Sequence, residues 1–276
     1  MRVVFLGHVS KDVNITNGEK KIVPGGGVIY GGATVVGLGE EAEVYTKCAK
    51  EDVELFSSIV PKVKFHFLPS STSTSIENLY PSSNPDDRVS RMISRADPFT
   101  VRDLMFINET GIIHINPLWY GEFPDELIEK VRKKAAFLAG DAQGFLRQVD
   151  EDGEMVYRDW KEKEEYLRFF DLFKVDSNEA RIMTGSDEPK EATKRIVEMG
   201  VKMVLMTHKN GVCVYDGKDF YEAEFGEWKL EGRTGRGDTC TAAFLVAMHR
   251  FSLPQAVKFA AEVTTRKMQY PGPYRG

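Results

Sequence analysis

Apolar residues recur along the chain with two different periods. Val3-Val4-Phe5-Leu6-Gly7 is a short unbroken apolar run ending in glycine, the pattern of a buried strand. Val13 to Thr16 and Glu19 to Val23 flank Asn17-Gly18. That dipeptide is the strongest short hairpin signal, because both residues tolerate positive φ. Val28 to Leu38 is rich in small residues and predicts a closely packed helix, with Gly39 as its C-cap. Residues 43–47 predict a strand, and a charged helix is expected to begin near Glu51. Phe65-His66-Phe67, Thr74 to Tyr80 and Val89 to Ile93 look like antiparallel strands. Ser82 to Asp87 supplies the turn between the last two.

After residue 98 the rhythm changes to strand, helix, strand, helix. Ile112 to Ile115, Ala136 to Ala139, Leu172 to Val175 and Val201 to Thr207 are strand-like, and Phe123 to Lys134 is helical with Pro124 near its start. Such alternation implies an α/β fold, a mostly parallel sheet covered by helices on both faces. Ligands of such sheets bind at the carboxyl ends of the strands. Asp141, Asp176 and Thr207 fall at strand ends, as does Gly7 leading to Asp12.

The 276 residues suffice for one large α/β domain, and 42% hydrophobic residues supply its core. A net charge of −5 and the lack of a dense basic run argue against nucleic acid as a partner. The densest basic cluster, Lys130 to Lys134, reads as the solvated face of a helix. No apolar run is long enough to span a bilayer, and the opening run is too short for a signal segment. Cys48, Cys213 and Cys240 are an odd set without metal or redox spacing, which fits a cytoplasmic protein. Scattered histidines offer no transition-metal motif.

The sharpest chemical feature is Thr234-Gly235-Arg236-Gly237-Asp238-Thr239, running into a small-residue helix from Cys240 to Met248. A glycine-rich turn at a helix N-terminus points backbone N–H groups into one concavity, where the helix dipole adds positive charge. Asp238 reads equally well as an N-cap of a structural helix. Arg236-Gly237-Asp238 also spells an adhesion tripeptide, a reading with little weight in a chain without a signal segment.

Thr-Gly-x-Gly-Asp-Thr opening such a helix resembles the C-terminal signature of the ribokinase (PfkB) family of carbohydrate kinases. The N-terminal signature is similar too, from Gly7 and Asp12 through Pro24-Gly25-Gly26-Gly27 to Ala33 and Leu38-Gly39. The family's Asn-x-x-Glu ahead of Thr-Gly appears as Asp176-Ser177-Asn178-Glu179, followed by Thr184-Gly185. The resemblance covers essentially the whole chain. It implies one ribokinase-like domain over residues 1–276, with a small antiparallel β lid of about 13–24 and 65–95 over the acceptor.

The resemblance further implies an ATP-dependent kinase with Asp238 as general base and the N–H groups of Gly235, Arg236 and Gly237 as an anion hole. Asp12, Gly26 and Gly27 would bind acceptor hydroxyls. Glu179, with Asp176, would hold Mg2+ through water, and some relatives also use a monovalent cation. Lids of this kind pair between subunits in many members, so the chain would be a monomer or a homodimer through its lid.

Several departures narrow the reading. Arg236 replaces the usual alanine, and its side chain either adds charge to the phosphoryl group or faces solvent. Asp176 replaces asparagine. The family's nucleotide loop is shortened to Thr207-His208-Lys209-Asn210-Gly211, so Thr207, Lys209, Asn210 and Gly211 become the candidate nucleotide contacts. The asparagine expected after the Gly-Gly pair is missing around Tyr30-Gly31, which argues against ribose. Asp141-Ala142-Gln143-Gly144-Phe145-Leu146-Arg147 resembles a stretch of inositol-kinase-like members. Gln143 and Arg147 are therefore expected at the acceptor, and myo-inositol is the expected substrate; ordinary loop residues are the competing reading. A hexose, ribose or nucleoside kinase and a catalytically silent ligand-binding regulator remain the alternatives. Cys240 is expected to be packing, His114 a satisfied core residue, and Trp119-Tyr120 either an acceptor wall or loop packing.

Overall fold

The computed structural model describes residues 1–16, 18–80, 89–108 and 110–276. The expected turn residues Asn17 and Ser82 to Asp87 lie outside them. The chain opens with β1 (Arg2–Leu6), β2 (Ser10–Thr16), β3 (Glu19–Gly25), α1 (Gly27–Gly37) and β4 (Glu41–Cys48). A short 3-10 turn leads to α2 (Val53–Ser57), then β5 (Lys64–Pro69), β6 (Thr74–Tyr80), β7 (Val89–Ser94) and β8 (Thr110–Ile115). The middle holds α3 (Ile128–Arg132), β9 (Ala135–Asp141), α4 (Gln143–Leu146), β10 (Arg147–Val149), β11 (Met155–Tyr157) and α5 (Lys163–Tyr166). The last third is β12 (Leu172–Asp176), α6 (Ser177–Thr184), α7 (Pro189–Glu198), β13 (Val204–His208), β14 (Gly211–Tyr215), β15 (Phe220–Glu224), α8 (Arg236–Ala247) and α9 (Leu253–Lys267).

Among the described residues, nine strands form the main sheet in the order β15-β14-β13-β12-β9-β8-β1-β4-β5. All neighbours pair in parallel except β13–β14 and β14–β15, which are hairpins at one edge. Strand alternation sends side chains to two cores. Val3 and Phe5 of β1 join one core with Val28, Ile29, Phe244 and Val257 of α1, α8 and α9. Val4 and Leu6 join the other with Ile128, Ala180 and Ile196 of α3, α6 and α7. Each fully buried aliphatic or aromatic side chain stabilises the fold by about 1.5–3 kcal/mol. The helices therefore clamp the sheet on both faces, as the continuous apolar strand runs predict.

A second sheet stands over the carboxyl ends, in the order β3-β2-β6-β7. Its outer pairs are antiparallel, and its central pair β2–β6 is parallel. Residues 65–69 do not belong to it. They lie in β5, paired in parallel with β4 at the edge of the main sheet, so the expected boundary of 65–95 is too wide. Phe65 and Phe67 pack against the core beneath α1, and that burial decides the sheet they join. Glu122 braces the segments that leave β1 and β8. Its buried carboxylate accepts from His8 N–H at 2.6 Å, at the exit of β1, and from Leu118 N–H at 2.8 Å. Burial, with those N–H groups opposing it, pushes the Glu122 pKa up to about 8.

Candidate active site

Strands β8, β9, β12 and β13 end side by side, and the residues at or just past their ends are polar: Asn116, Asp141, Asp176 and Thr207. Asp141, Asp176 and Thr207 line the floor of a cleft of about 1120 Å³ between the main sheet and the second sheet, and Asn116 lies behind it. Of the residues expected from sequence, Asp12, Gly26, Gly27, Gln143, Arg147, Asp176, Glu179, Thr207, Gly235, Arg236, Gly237 and Asp238 all line it.

Gly235 caps α8 from the left-handed region, with φ of 77°, where only glycine fits without strain. Space also demands glycine, since a Cβ there would lie 2.0 Å from Cδ1 of Tyr30. Helix α8 starts at Arg236, so Asp238 is inside the first turn and makes no capping bond. Its Oδ1 accepts from Asn116 Nδ2 at 3.1 Å instead. The N-cap reading of Asp238 is thereby excluded. Arg236 N–H donates back to the Arg233 carbonyl at 3.1 Å, which removes it from the expected trio of anion-binding N–H groups. Its guanidinium lies 5.9 Å from the centre of the Phe225 ring at the rim.

Gly27 begins α1 against the same carboxylate. A Cβ at Gly27 would be 2.3 Å from Asp238 Oδ1 and 2.4 Å from Asn116 Oδ1. The N-termini of α1 and α8 thus converge on Asp238, each contributing partial positive charge. Asp12 stands nearby, accepting from Ser10 Oγ at 2.7 Å and lying against Gly25.

Burial first, then Asp141, raises the Asp238 pKa; Lys174, Asn116 and His114 pull the other way. His114 is buried, but neither ring nitrogen has a partner, so it is not the satisfied core residue expected. Burial lowers its pKa to about 4, which keeps it neutral.

Lys174 occupies the centre of the charged floor. Its ammonium is 3.3 Å from Asp141 Oδ1 and 3.4 Å from Glu179 Oε2. Burial works against its charge, but Asp141, Glu179, Asp176 and Asp238 hold its pKa well above the ordinary value. Asp176 and Glu179 form a reciprocal capping box on α6, with N–H to carboxylate distances of 2.8 and 2.7 Å. Burial and Asp176 push Glu179 up to about 8 against the pull of Lys174. Three carboxyl groups facing one ammonium leave a negative surplus. That surplus suits a hydrated hard cation, which favours oxygen ligands.

The structure does not bring Lys209, Asn210 and Gly211 to the cleft. Lys209 and Asn210 are the exposed two-residue turn of the β13–β14 hairpin, closed by the His208–Gly211 pair. The Asn210 carbonyl accepts from Phe225 N–H at 2.7 Å, and a Cβ on Gly211 would meet the Ala223 carbonyl at 2.3 Å. The shortened loop folds onto β15, and only Thr207 reaches the cleft. Trp119 packs with Ile76, Leu118 and Met155, and of these Ile76 and Leu118 line the cleft. Cys240 is buried and burial pushes its thiol to about 12, as expected of packing.

Sequence reasoning missed Asn116, Lys174 and Tyr30. The rule that marks Asp141 and Asp176 also marks Asn116, the first polar residue after β8. Lys174 carried a signal as well, a lone charge inside the apolar run of β12. Tyr30 gave none, because its role is to wall the glycine turn through space.

The description "pfkB family carbohydrate kinase" matches residues 96–275, and the chain belongs to that family, whose members are phosphotransferases acting on an alcohol group. A pyrophosphate-dependent kinase in the ribokinase family, complexed with a pyrophosphate analog and myo-inositol, is 52% identical. Its TM-score is 0.93, over 99% of this chain and 97% of that one. A pyrophosphate-dependent myo-inositol-1 kinase is 51% identical, with a TM-score of 0.92 over 99% of this chain and 95% of that one. It was converted into a myo-inositol-3 kinase by replacing an asparagine and a serine with leucine. Cytidine kinase of Thermococcus kodakarensis is 25% identical over 269 residues, covering 90% of this chain and 88% of the relative.

Asp238→Asn is expected to lower kcat by at least about a hundredfold, the usual scale for a lost general base, with the fold intact. A near-normal rate in steady-state kinetics would remove Asp238 from the chemistry. If Asp238 acts as the general base, its raised pKa makes wild-type kcat/KM fall with acid through a midpoint above 3.8. A pH profile flat to that value would contradict the raised pKa. Gly235→Ala should destabilise the fold by roughly 1–3 kcal/mol from backbone strain alone, before the Tyr30 clash is counted. Unchanged thermal unfolding and turnover would show that the turn tolerates a side chain.

Proposed function

We propose that this kinase transfers a phosphoryl group from magnesium pyrophosphate to a hydroxyl of myo-inositol, releasing inositol monophosphate and phosphate. The observation that carries the donor assignment is the Lys174 ammonium, whose Nζ is 3.3 Å from where a Cβ of Gly237 would be. Cation and glycine turn together make a compact site for two linked phosphoryl groups. ATP, the donor implied by the broader family resemblance, needs a further surface for adenosine. The hairpin expected to offer one is folded onto β15. The pyrophosphate-dependent relatives at 51–52% identity support the same donor.

In this reading Asp238 removes the proton of the acceptor hydroxyl while the new O–P bond forms. The bond to the bridging oxygen breaks, and phosphate leaves with that electron pair. Gly235 and Gly237 N–H groups and Lys174 meet the charge on the transferring group. Asp176 and Glu179 would hold magnesium through water, where the ion neutralises donor charge. Asp12 and Gln143 bind ring hydroxyls, Gln143 as both donor and acceptor. Arg147 adds a second cation to the cleft. The second sheet acts as the lid that keeps water from the donor.

The lid also supports a choice of hydroxyl. Asn78 lines the cleft, donates to Asn14 Oδ1 at 3.1 Å and accepts from Ser90 Oγ at 2.7 Å. Positions 1 and 3 of myo-inositol are mirror images, so only asymmetric contacts distinguish them. The polar pair Asn78–Ser90 parallels the asparagine and serine of the 1-kinase and favours the same position.

Formation of inositol monophosphate by purified protein with magnesium and myo-inositol should be at least about tenfold faster with pyrophosphate than with ATP, a difference of about 1.4 kcal/mol. Faster turnover with ATP would return the donor to a nucleotide. Chiral chromatography should find the 1-phosphate, and Asn78→Leu with Ser90→Leu should shift product to the 3-phosphate; an unchanged isomer would detach the lid pair from regiochemistry. Lys174→Met should raise the pyrophosphate KM more than the myo-inositol KM. It should also cost about 3–5 kcal/mol of stability, because two buried carboxylates lose their partner. An unchanged pyrophosphate KM would place the donor elsewhere.

A further inference from the structure

Lys267, the last residue of α9, is fully buried 29 positions beyond the catalytic aspartate. Its ammonium donates to the carbonyl of Gly232 at 2.6 Å and to the carbonyl of Thr234. On a third side it faces the Tyr30 ring, 5.2 Å from the centroid. Two converging carbonyls and an aromatic face are the surroundings of a bound cation. The carboxyl end of a 15-residue helix adds negative potential there. Here the cation is part of the chain.

The carbonyls belong to the segment that delivers the anion hole. Gly232 is pressed against α9, where a Cβ would be 2.1 Å from the Met268 carbonyl. Lys229 N–H donates to that same carbonyl at 3.1 Å. At the other end Gly235 is pressed against Tyr30. Between these walls the orientation of the Thr234–Gly235 peptide is set by what its carbonyl meets. The bond is trans, so its C=O and N–H point in opposite directions. With the Thr234 oxygen held by Lys267 at the back of the loop, the Gly235 N–H faces the cleft that Gly235 lines.

Burial lowers the Lys267 pKa to about 8, with Asp238 opposing the shift, so the ammonium keeps its proton at neutral pH. Among the described residues its nitrogen donates to the two loop carbonyls, and both are backbone. A purely hydrophobic residue in its place would leave them buried and unpaired.

We propose that Lys267 is a positioning residue for phosphoryl transfer, a tethered substitute for a diffusible monovalent cation that fixes the Thr234–Gly235 peptide with its N–H toward the transferring group. The proposal rests on the kinase reading above and is independent of which donor is used. It also predicts that the monovalent cation used by some relatives is dispensable here.

The test measures turnover of wild type, Lys267→Ala and Lys267→Arg in tetramethylammonium buffer, then with added potassium, ammonium or methylammonium. The donor is pyrophosphate, or ATP if wild type turns over only that; such a switch would overturn the donor assignment without touching this proposal. Wild type is expected to vary less than about twofold with the cation. Lys267→Ala should lose about a hundredfold in kcat, the scale of one misplaced anion-hole donor, with acceptor KM nearly unchanged. Ammonium or methylammonium should restore at least about tenfold of that loss, and Lys267→Arg should be less impaired than the alanine variant. A wild-type enzyme that loses most of its activity without potassium overturns the proposal, even if Lys267→Ala fails to fold. So does a folded Lys267→Ala, verified by circular dichroism, with normal kcat or with a loss that no small cation repairs.

Discussion

The cleft depends on one buried ammonium. Lys174 rises from the middle of β12, where its neighbours Phe173 and Val175 are fully buried, and it meets Asp141 and Glu179 at the strand ends. Without it, three acidic groups would crowd the end of one parallel sheet, each raising the cost of ionising the others. With it, Asp141 and Glu179 have a partner. The turn at Gly237 can then face a positive charge, with room for little more than a methyl group between them. Buried ion pairs are a weak source of stability, because desolvation offsets most of the attraction. Their presence here is better explained by what the charge does to an incoming anion.

The glycine turn is assembled from the opposite side by packing. Helices α1, α8 and α9 share one core, and their ends surround Asp238: the N-termini of α1 and α8 in front, the C-terminus of α9 behind. Gly27 lets α1 approach the carboxylate, Tyr30 from the next turn walls Gly235, and Lys267 ties the loop to α9. Asp238, the proposed base, is thus held by rigid elements, and Asn116, which donates to it, follows β8. Preorganisation of this kind is what makes hydrogen-bond donors effective toward a developing charge.

Most of the main sheet was legible in the sequence because buried parallel strands are short apolar runs ending in a polar residue. Asp141, Asp176 and Thr207 were placed by that rule, and Asp12, Gly26, Gly27 and Asp238 by their motifs. The strand at 65–69 was misplaced because an isolated apolar run does not say which sheet will bury it. The hairpin at 207–211 was misread because a deletion of one residue converts a ligand loop into a tight turn, and motif likeness hides that change. Asn116 and Lys174 were visible in principle. Tyr30 and Lys267 were not, because each matters only through a contact with the glycine turn hundreds of positions away in one case and about thirty in the other.

The central claim is that the charged floor and glycine turn form a site for inorganic pyrophosphate. Isothermal titration calorimetry of the wild-type protein with magnesium pyrophosphate and with magnesium ATP tests it most directly, since binding is read apart from turnover. A dissociation constant for pyrophosphate at least about tenfold below that for ATP, a difference of about 1.4 kcal/mol, is the predicted result. Tighter binding of ATP would contradict it and would require an adenosine site that the folded hairpin does not provide.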